Sequence, residues 1–335
     1  MKLIGALCFA NAVLAQGWTP VATPVRASLR GVSAVDGRTV WASGSGGTWM
    51  ATSDGGATWR TGQVAGAETL DFRGIRAIDA RTVFLMSAGP GEMSRIYKTT
   101  DGGERWTLLH TNAAKVGFFD AIAFWDARRG IVVGDPVEDH AEVLTTDDGG
   151  AAWQQQSPPE AIPGEGSFAA SNSCLTVYGE RDAWFATGGP DGARVFHSSD
   201  SGRTWSAAAT PMRNDSASAG IFSLAFRDAR HGIAAGGDYA KDKEARGNLA
   251  LTSDGGRTWV VPKGAGPRGF RSAAAWAGGD VVIVTGSSGS EISRDGGNTW
   301  QGFDDGAYHA LSFAAGTGWA VGPEGRVARY RADGK

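Results

Sequence analysis

The chain has 335 residues, of which 51 are glycine, and a formal net charge of −3. Hydrophobic residues make up 41% of the sequence, which is typical of a turn-rich globular protein and excludes an intrinsically disordered one. The small net charge, with no run of lysine and arginine, gives no indication that the protein binds nucleic acid.

The sequence begins with a segment typical of a secretory signal peptide. Lys2 precedes a run of apolar residues, and the small residues Val13 and Ala15 occupy the positions that a signal peptidase reads. We therefore expect residues 1–15 to be a cleaved signal peptide and residues 16–335 to form one exported domain, periplasmic or secreted. A short buried strand is the alternative interpretation of this segment. No later stretch approaches the ~18 apolar residues of a membrane span, so we expect none.

The sequence contains two cysteines, and one of them, Cys8, would leave with the signal peptide. The other, Cys174, could then form no intramolecular disulfide. We interpret Cys174 as a small buried residue rather than as a nucleophile.

A nine-residue motif occurs six times, and the tryptophans that end it are 41 to 54 residues apart. Such a period indicates one supersecondary unit per repeat. Within the units, short β-rich runs such as TVFLMS (82–87) and RIYKT (95–99) alternate with glycine, proline and aspartate turns, and no stretch has a helical period. The six copies are ATSDGGATW (51–59), KTTDGGERW (98–106), TTDDGGAAW (145–153), HSSDSGRTW (197–205), LTSDGGRTW (251–259) and ISRDGGNTW (292–300).

Four strands fit each unit, and four-stranded units repeated around an axis form a β-propeller. Six motifs close six blades, and residues 307–334 supply three more strands. The missing strand stands at the other end of the chain, because GWTPVATP (17–24) resembles RWTLLHTN (105–112). We therefore predict an all-β, seven-bladed β-propeller of four-stranded blades, whose last blade is closed by the N-terminal strand so that no sheet edge stays free.

The aspartate and the tryptophan of each motif are interpreted as structural. A short carboxylate followed by glycines can accept hydrogen bonds from backbone N–H groups of the same turn, and the tryptophan can bury its ring between neighbouring blades. Six aspartates distributed around a ring cannot converge on one reacting atom, and a calcium loop would need more oxygen ligands in one loop. The residues are Asp54, Trp59, Asp101, Trp106, Asp148, Trp153, Asp200, Trp205, Asp254, Trp259, Asp295 and Trp300.

The S/T-x-D-x-G-x-x-W motif resembles the Asp-box, or bacterial neuraminidase repeat. Together with segments such as RGIRAIDARTVFLMSAG (73–89) and DAIAFWDARRGIVVGDP (120–136), it makes essentially the whole mature chain similar to the photosystem II stability/assembly factor family. That resemblance implies a non-catalytic seven-bladed propeller of the lumen or periplasm that acts as a protein-binding or assembly scaffold. It does not by itself imply a role in photosynthesis.

The Asp-box also occurs in sialidases, so a sialidase-like glycoside hydrolase is the alternative. Sialidases have an F/Y-R-I-P arginine signature, and here FRGI (72–75) is the nearest match and lacks the proline. The five tyrosines include none beside an evident glutamate partner. An enzyme is therefore the less favoured interpretation, and we predict no catalytic residues.

Alignment of the predicted inner strands places one residue of each blade at the channel mouth, on the face opposite the aspartate turns. The aligned residues are Arg30, Arg73, Asp120, Ser173, Phe222, Arg271 and His309. Arginine and histidine from consecutive blades predict a basic arc, which Arg76 and Arg268 would extend. Guanidinium groups suit carboxylates, so the predicted partner is a protein or peptide, an acidic or C-terminal segment. Solvated rim arginines that cover apolar strand ends are the alternative.

The long insertions 135–142, 154–171, 206–220 and 237–248 are expected on the same face, opposite the basic arc, where loops commonly carry binding sites. His140 lies in an acidic surface loop, which we interpret as solvated. We predict no metal, no cofactor and a monomer.

Overall fold

Seven antiparallel sheets follow one another along the chain, and their innermost strands contact each other in a closed ring. The computed structural model describes residues 17–158 and 160–331. It confirms the prediction of an all-β, seven-bladed propeller. The predicted signal peptide lies outside the described residues.

The first strand along the chain, β1 (Thr19–Val21), belongs to the last blade. Blade 1 contains β2 (Leu29–Ala34), β3 (Val40–Gly44), β4 (Thr48–Thr52) and β5 (Arg60–Gln63). Blade 2 contains β6 (Phe72–Ala77), β7 (Val83–Ser87), β8 (Arg95–Thr99) and β9 (Thr107–Thr111), with a 3₁₀ turn at Gly91–Met93. Blade 3 contains β10 (Phe119–Phe124), β11 (Gly130–Val137), β12 (His140–Thr146) and β13 (Gln154–Gln156).

Blade 4 contains β14 (Leu175–Tyr178), β15 (Asp182–Ala186), β16 (Arg194–Ser198) and β17 (Ser206–Ala209). Blade 5 contains β18 (Ala219–Phe226), β19 (Gly232–Asp238) and β20 (Leu249–Thr252), with a 3₁₀ turn at Tyr239–Lys241. An isolated bridge between Leu251 and Val260 stands where the other blades have their fourth strand. Blade 6 contains β21 (Ala273–Gly278), β22 (Val281–Gly286), β23 (Gly289–Ser293) and β24 (Gln301–Asp304).

Blade 7 joins the two ends of the described chain. It contains β25 (Ala310–Ala314), β26 (Thr317–Val321), a 3₁₀ turn at Pro323–Gly325 and β27 (Val327–Arg331). Strand β1 completes it by antiparallel pairing with β27, for example Val21 with Val327. This confirms the predicted closure by the N-terminal strand.

Each aspartate of the repeated motif is held inside its own turn between the third and fourth strand positions. In blade 1, Thr52 Oγ1 donates to Asp54 Oδ1 at 2.8 Å, and the backbone N–H and Oγ1 of Thr58 donate to the two carboxylate oxygens at 2.9 and 2.6 Å. These bonds, first of all that from the Thr58 hydroxyl, lower the pKa of Asp54. The other five aspartates accept from the hydroxyl two residues before them and from a backbone N–H that follows.

The motif tryptophans lie in the clusters of apolar side chains between adjacent blades. Trp59 of blade 1 meets Trp319 of blade 7 edge to face, with ring centroids 6.0 Å apart. Trp18, next to β1, has the same place between blades 6 and 7, where it is 7% exposed and donates from Nε1 to Ser290 Oγ at 2.9 Å. Each ring therefore seals one interface of the propeller.

The aspartate turns define the lower face, and the inner strands begin at the opposite, upper face. Cys174 is fully buried at the start of blade 4. No helix in the part of the chain that the structure describes is long and apolar enough to cross a membrane.

Candidate functional site at the upper channel mouth

Four inner strands carry a β-bulge near their upper ends. In β2 the pairing shifts between Leu29 and Gly31, so Arg30 is the extra residue without a partner on β3. A bulge leaves its extra residue out of the ladder and redirects its side chain. The same shift falls on Arg73 in β6, Asp120 in β10 and Phe222 in β18. The bulges thus place one side chain from each of four blades at the channel mouth, and the sequence alignment had these four residues in the right column.

The alignment of Arg271 with this column is wrong by one residue. The backbone N–H of Arg271 donates to Gly236 O of the preceding blade, as that of Leu29 donates to Gly322 O. Arg271 therefore occupies the position of Leu29, which is buried between blades, and Ser272 takes the column position in blade 6.

The side chain of Arg271 is accordingly turned into the protein. It is fully buried, and its Nη2 lies 2.8 Å from Glu291 Oε2. Its Nη1 donates to Phe270 O at 2.7 Å and to Ser288 Oγ at 3.0 Å. Arg268 lies 3.0 Å from Oε1 of the same glutamate. Glu291 therefore forms ion pairs with both arginines. Neither arginine lines the cavity described next.

Above the channel lies a cavity of about 900 Å³. Its basic side is formed by Arg30, Arg73 and His309, from the consecutive blades 1, 2 and 7. Arg76 is three residues further along β6 and does not line the cavity; burial lowers its pKa. The structure thus brings together three of the six residues predicted for the basic arc and its extension.

The basic groups of the cavity lie close to one another, and their hydrogen-bond donors are only partly matched by acceptors of the described chain. Burial, and then the neighbouring Arg73, lower the pKa of Arg30, and its buried Nε has no hydrogen-bond partner among the described residues. Arg73 lies 2.8 Å from Asp71 Oδ2 and donates from Nη1 to Ala169 O at 3.2 Å. Burial, followed by Arg30, lowers the pKa of His309, whose Nδ1 is 3.0 Å from Leu29 O. A bound anion would relieve the repulsion between these groups.

Of the four acidic residues that line the same cavity, Asp120 and Asp135 have a raised pKa. Asp120 is 1% exposed, and within residues 17–158 and 160–331 its Oδ2 has no hydrogen-bond partner. Burial, and then the nearby Asp135, raise its pKa well above the usual range. Asp135 Oδ1 accepts from the backbone N–H of Ser167 at 2.9 Å, and burial raises its pKa to about 6. The sequence alignment placed Asp120 at the mouth but gave no signal for its proximity to Asp135.

A cluster of aromatic rings forms another part of the wall. Phe168 and Phe222 are stacked with centroids 3.9 Å apart, and Tyr239 and Phe270 meet Phe222 edge to face at 6.0 and 4.7 Å. Tyr239 is 55% exposed, so part of this apolar surface is open. Only Phe222 could be placed here from the repeat, because the other three rings lie in segments between the aligned strands.

Residues 160–173, which we call the strap, lie across the mouth. Ala169 O of the strap accepts from Arg73 of blade 2, and Ser171 Oγ donates to Ser272 O of blade 6 at 2.7 Å. Asn172 Oδ1 accepts from Ile122 N of blade 3 at 2.8 Å. The expectation that this insertion stays opposite the basic arc is therefore wrong, since the strap reaches Arg73 itself.

The two insertions of blade 5 are fixed to each other by Arg213. Its side chain is 4% exposed and lies within 2.6 Å of Asp215 and of Glu244, and 3.3 Å from Asp238. These loops are held as a rigid rim. Over the described ranges, no three or more histidine, cysteine, aspartate or glutamate side chains are grouped as a metal site would require.

No protein-family model matches this sequence, and no curated protein is similar to it. Solved structures are similar. YCF48 bound to a D1 peptide aligns with 99% of this chain and 100% of its own at 19% identity and a TM-score of 0.69. YCF48 from Cyanidioschyzon merolae aligns with 94% of this chain and 98% of its own at 16% identity and a TM-score of 0.62. An ancestral GH74 enzyme aligns with 92% of this chain but 45% of its own, at 13% identity and a TM-score of 0.66. The chain thus has the seven-bladed fold of photosystem II assembly factor-like propellers such as YCF48, over essentially its whole described length.

Proposed function

We propose that this protein is an exported, non-catalytic propeller that binds an extended peptide segment of a partner protein at the upper channel mouth. The observation that carries the proposal is the placement of Arg30 and Arg73 in one cavity, where the buried Nε of Arg30 has no hydrogen-bond partner among the described residues. The ligand group that this arrangement suits is a carboxylate, from an acidic side chain or a C-terminus.

Guanidinium and carboxylate groups have complementary hydrogen-bonding geometry. A guanidinium presents parallel N–H donors that match the two oxygens of a carboxylate, and this pairing strengthens where water is partly excluded. Asp71 takes only one edge of Arg73, and the Nε of Arg30 is unmatched within the described chain. A carboxylate between the two guanidiniums would supply acceptors and cancel their mutual repulsion.

The walls of the cavity suit a peptide better than a small ion. A volume of about 900 Å³ accommodates several residues, and exposed Tyr239 with Phe168 offers apolar contacts to side chains. The similarity to YCF48, which was solved with a bound D1 peptide, supports a peptide site on this fold.

The test uses N-acetylated heptapeptides of mixed sequence, each prepared with a free and with an amidated C-terminus. Binding is measured by fluorescence anisotropy for the wild type and for Arg30→Gln/Arg73→Gln. The matched control is Arg38→Gln/Arg81→Gln, which removes two exposed arginines from the lower turns of the same blades. We expect free peptides to bind at least about tenfold more tightly than amidated ones, and only the mouth variant to lose this difference. Equal binding of the two peptide forms would overturn carboxylate recognition.

Export is proposed from the N-terminal segment and is tested separately. The protein recovered from outside the cytoplasm is expected to begin at Gln16, which leaves Trp18 and β1 intact. Recovery of the full-length chain in the cytoplasm alone would contradict export. Light scattering of the mature protein tests whether it is monomeric.

Glycoside hydrolysis is a second candidate, because two carboxyl groups with raised pKa share the cavity and a GH74 enzyme is among the similar structures. A glycosidase needs such a pair across its substrate. Turnover of aryl glycosides by the wild type, lost in Asp120→Asn and in Asp135→Asn, would replace the binding proposal. Absence of turnover over a panel of sugars would remove the candidate.

A further inference from the structure

The acidic side of the cavity has two carboxyl groups, on Asp120 and Asp135, that form no ion pair among the described residues. Asp135 lies at the upper end of β11 and receives one hydrogen bond to Oδ1, from the backbone of Ser167. Behind it Asp120, on the bulge of β10, has an Oδ2 that no described residue contacts by a hydrogen bond. An unmatched buried carboxyl group is costly and therefore calls for an explanation.

Of the other acidic groups of the cavity, Glu165 forms an ion pair and Asp242 is hydrogen-bonded at the rim. Glu165 is bound to the guanidinium of Arg194 and accepts from Thr187 Oγ1 at 2.5 Å. Asp242, at the rim, accepts from Ser287 Oγ at 2.8 Å. Arg73, the cation that acts on Asp120, is itself bonded to Asp71. Asp120 and Asp135 are thus the two largely buried acidic residues of the wall that form no ion pair among the described residues.

We propose that Asp135, backed by Asp120, forms a subsite for the ammonium group of a lysine side chain in the bound peptide. This inference rests on the proposed function, and it narrows the partner to a segment that carries a carboxylate and, a few residues away, a lysine. The carboxylate would face Arg30 and Arg73, while the lysine would reach across the mouth toward blade 3.

The surroundings favour an organic cation over a metal ion. A hard metal ion needs about six to eight oxygen ligands, or several waters, in a fixed geometry. Residues 17–158 and 160–331 provide no group of three or more acidic, histidine or cysteine ligands. Phe168, which directly follows Ser167 and stacks on Phe222, lines the same cavity as Asp135, so the cavity also offers aromatic surface. Aromatic faces attract ammonium groups and their methylene chains.

The electrostatics of the pair agree with a negative charge on Asp135. Burial raises the pKa of Asp135 to about 6, so this group is ionised at pH 7.5. Burial, and then the Asp135 charge, raise the pKa of Asp120 well above its usual range. The charged or titratable groups around the pair are Arg73 from β6, Glu142 from β12, Glu165 from the strap and the buried thiol of Cys174. Attraction for an ammonium group should therefore weaken as the pH falls below about 6.

The experiment uses free-carboxylate heptapeptides in which one lysine is moved through the first six positions. Each peptide has a partner with Nε-acetyl-lysine, which removes the charge but keeps the chain. At pH 7.5 we expect, for at least one position, that the lysine peptide binds the wild type on the order of tenfold more tightly than its acetylated partner. In Asp135→Asn, which keeps the acceptor for Ser167 N–H, this ratio should fall to about one while the acetylated peptide binds as before.

The matched control is Glu138→Gln, which makes the same charge change at an exposed residue of the β11–β12 hairpin and should keep the ratio. A wild-type ratio of one at every lysine position, with the peptides still binding through their carboxylates, would overturn the subsite and leave the proposed function standing. Failure of all free-carboxylate peptides to bind would overturn both. If Asp135→Asn still bound the lysine peptide more tightly than the acetylated peptide, a group other than Asp135 would bind the lysine.

Discussion

Replacement of Arg271 by methionine tests whether this arginine is a structural residue rather than a ligand of the partner. Its guanidinium is fully buried and makes an ion pair with Glu291, which is 3% exposed, and bonds to Phe270 O and Ser288 Oγ. Arg271→Met leaves a buried carboxylate with only Arg268, whose side chain is 69% exposed. Removing one partner of a buried pair costs about 3–5 kcal/mol of unfolding free energy.

That cost converts into a measurable change in melting temperature. The unfolding entropy of globular proteins is about 2.1 cal/mol/K per residue, so roughly 300 ordered residues give about 0.6 kcal/mol/K. We therefore expect Arg271→Met to lower Tm by about 5–8 °C in a thermal melt followed by tryptophan fluorescence. Arg271→Met/Glu291→Leu removes both charges and should recover most of this loss. Arg268→Met, at an exposed position, should change Tm by far less.

The binding measurement completes the test. At a temperature well below Tm, Arg271→Met should bind free-carboxylate peptides as the wild type does, because Arg271 does not line the cavity. The reasoning would be refuted if this variant kept its Tm and lost peptide binding, since the guanidinium would then face the partner.

Three further outcomes are expected. Trp18→Ala should cost about 3–5 kcal/mol in denaturant unfolding and Trp18→Phe much less, because the ring fills the interface of blades 6 and 7; equal stability of Trp18→Ala and wild type would contradict this closure. Burial alone would raise the pKa of Asp254, but hydrogen bonds, first from Thr258, lower it to about 2, which is below its value in the unfolded protein. The ionised carboxylate of Asp254 therefore stabilises the fold above about pH 4, and this contribution is lost as pH falls toward 2. Asp254→Asn should therefore flatten the loss of Tm between pH 4 and 2, and an unchanged slope would argue against the turn as its cause. The pKa of Asp135 is higher in the folded than in the unfolded protein, so its ionisation opposes folding as pH rises through 4 to 6. Asp135→Asn should therefore be more stable than the wild type by up to about 3 kcal/mol at pH 7.5 and equally stable at pH 4. A lower Tm of the variant at pH 7.5 would refute this effect of ionisation.

The sequence was sufficient to predict the architecture because each blade repeats one short motif and the remainder at the two ends adds up to one more blade. The residue of an inner strand that reaches the channel mouth could be identified wherever an aspartate caps the turn after that strand. Asp36, for example, accepts from the backbone N–H groups of Arg38 and Thr39, and it stands six residues after Arg30.

Blade 6 lacks this marker, and this explains the misplacement of Arg271. Its inner strand ends in a bulge and a turn at Gly278 and Gly279, both with positive φ, so the next aspartate, Asp280, does not mark the same position. A different signal was available. Gly286, at the end of the second strand, lies against Phe270 O, as Gly44 lies against Ser28 O in blade 1. Alignment on this glycine would have put Ser272 in the column.

The strap and the acidic pair could not be predicted in the same way. The strap is an insertion without a counterpart in other blades, and its path depends on long-range bonds such as that from Ser171 to Ser272. Asp135 belongs to an extension of β11 beyond the repeated strand length. Its proximity to Asp120 follows from the pairing of β10 with β11, where Phe119 is opposite Gly134, and this register is fixed only once the bulge is known.

The bulges also explain how this scaffold can carry opposite charges so close together. Each bulge sends one side chain to the channel mouth while the residues on both sides of it stay in the ladder, so side chains of different charge can occupy the same position in different blades. Consecutive blades can then place Arg73 and Asp120 close enough for the charge of Arg73 to act on Asp120, although Arg73 forms its ion pair with Asp71. The outcome is a cavity with its basic side on blades 7, 1 and 2 and its acidic side on blade 3. A ligand of one charge would satisfy only half of this wall, whereas a peptide that carries both signs would satisfy all of it.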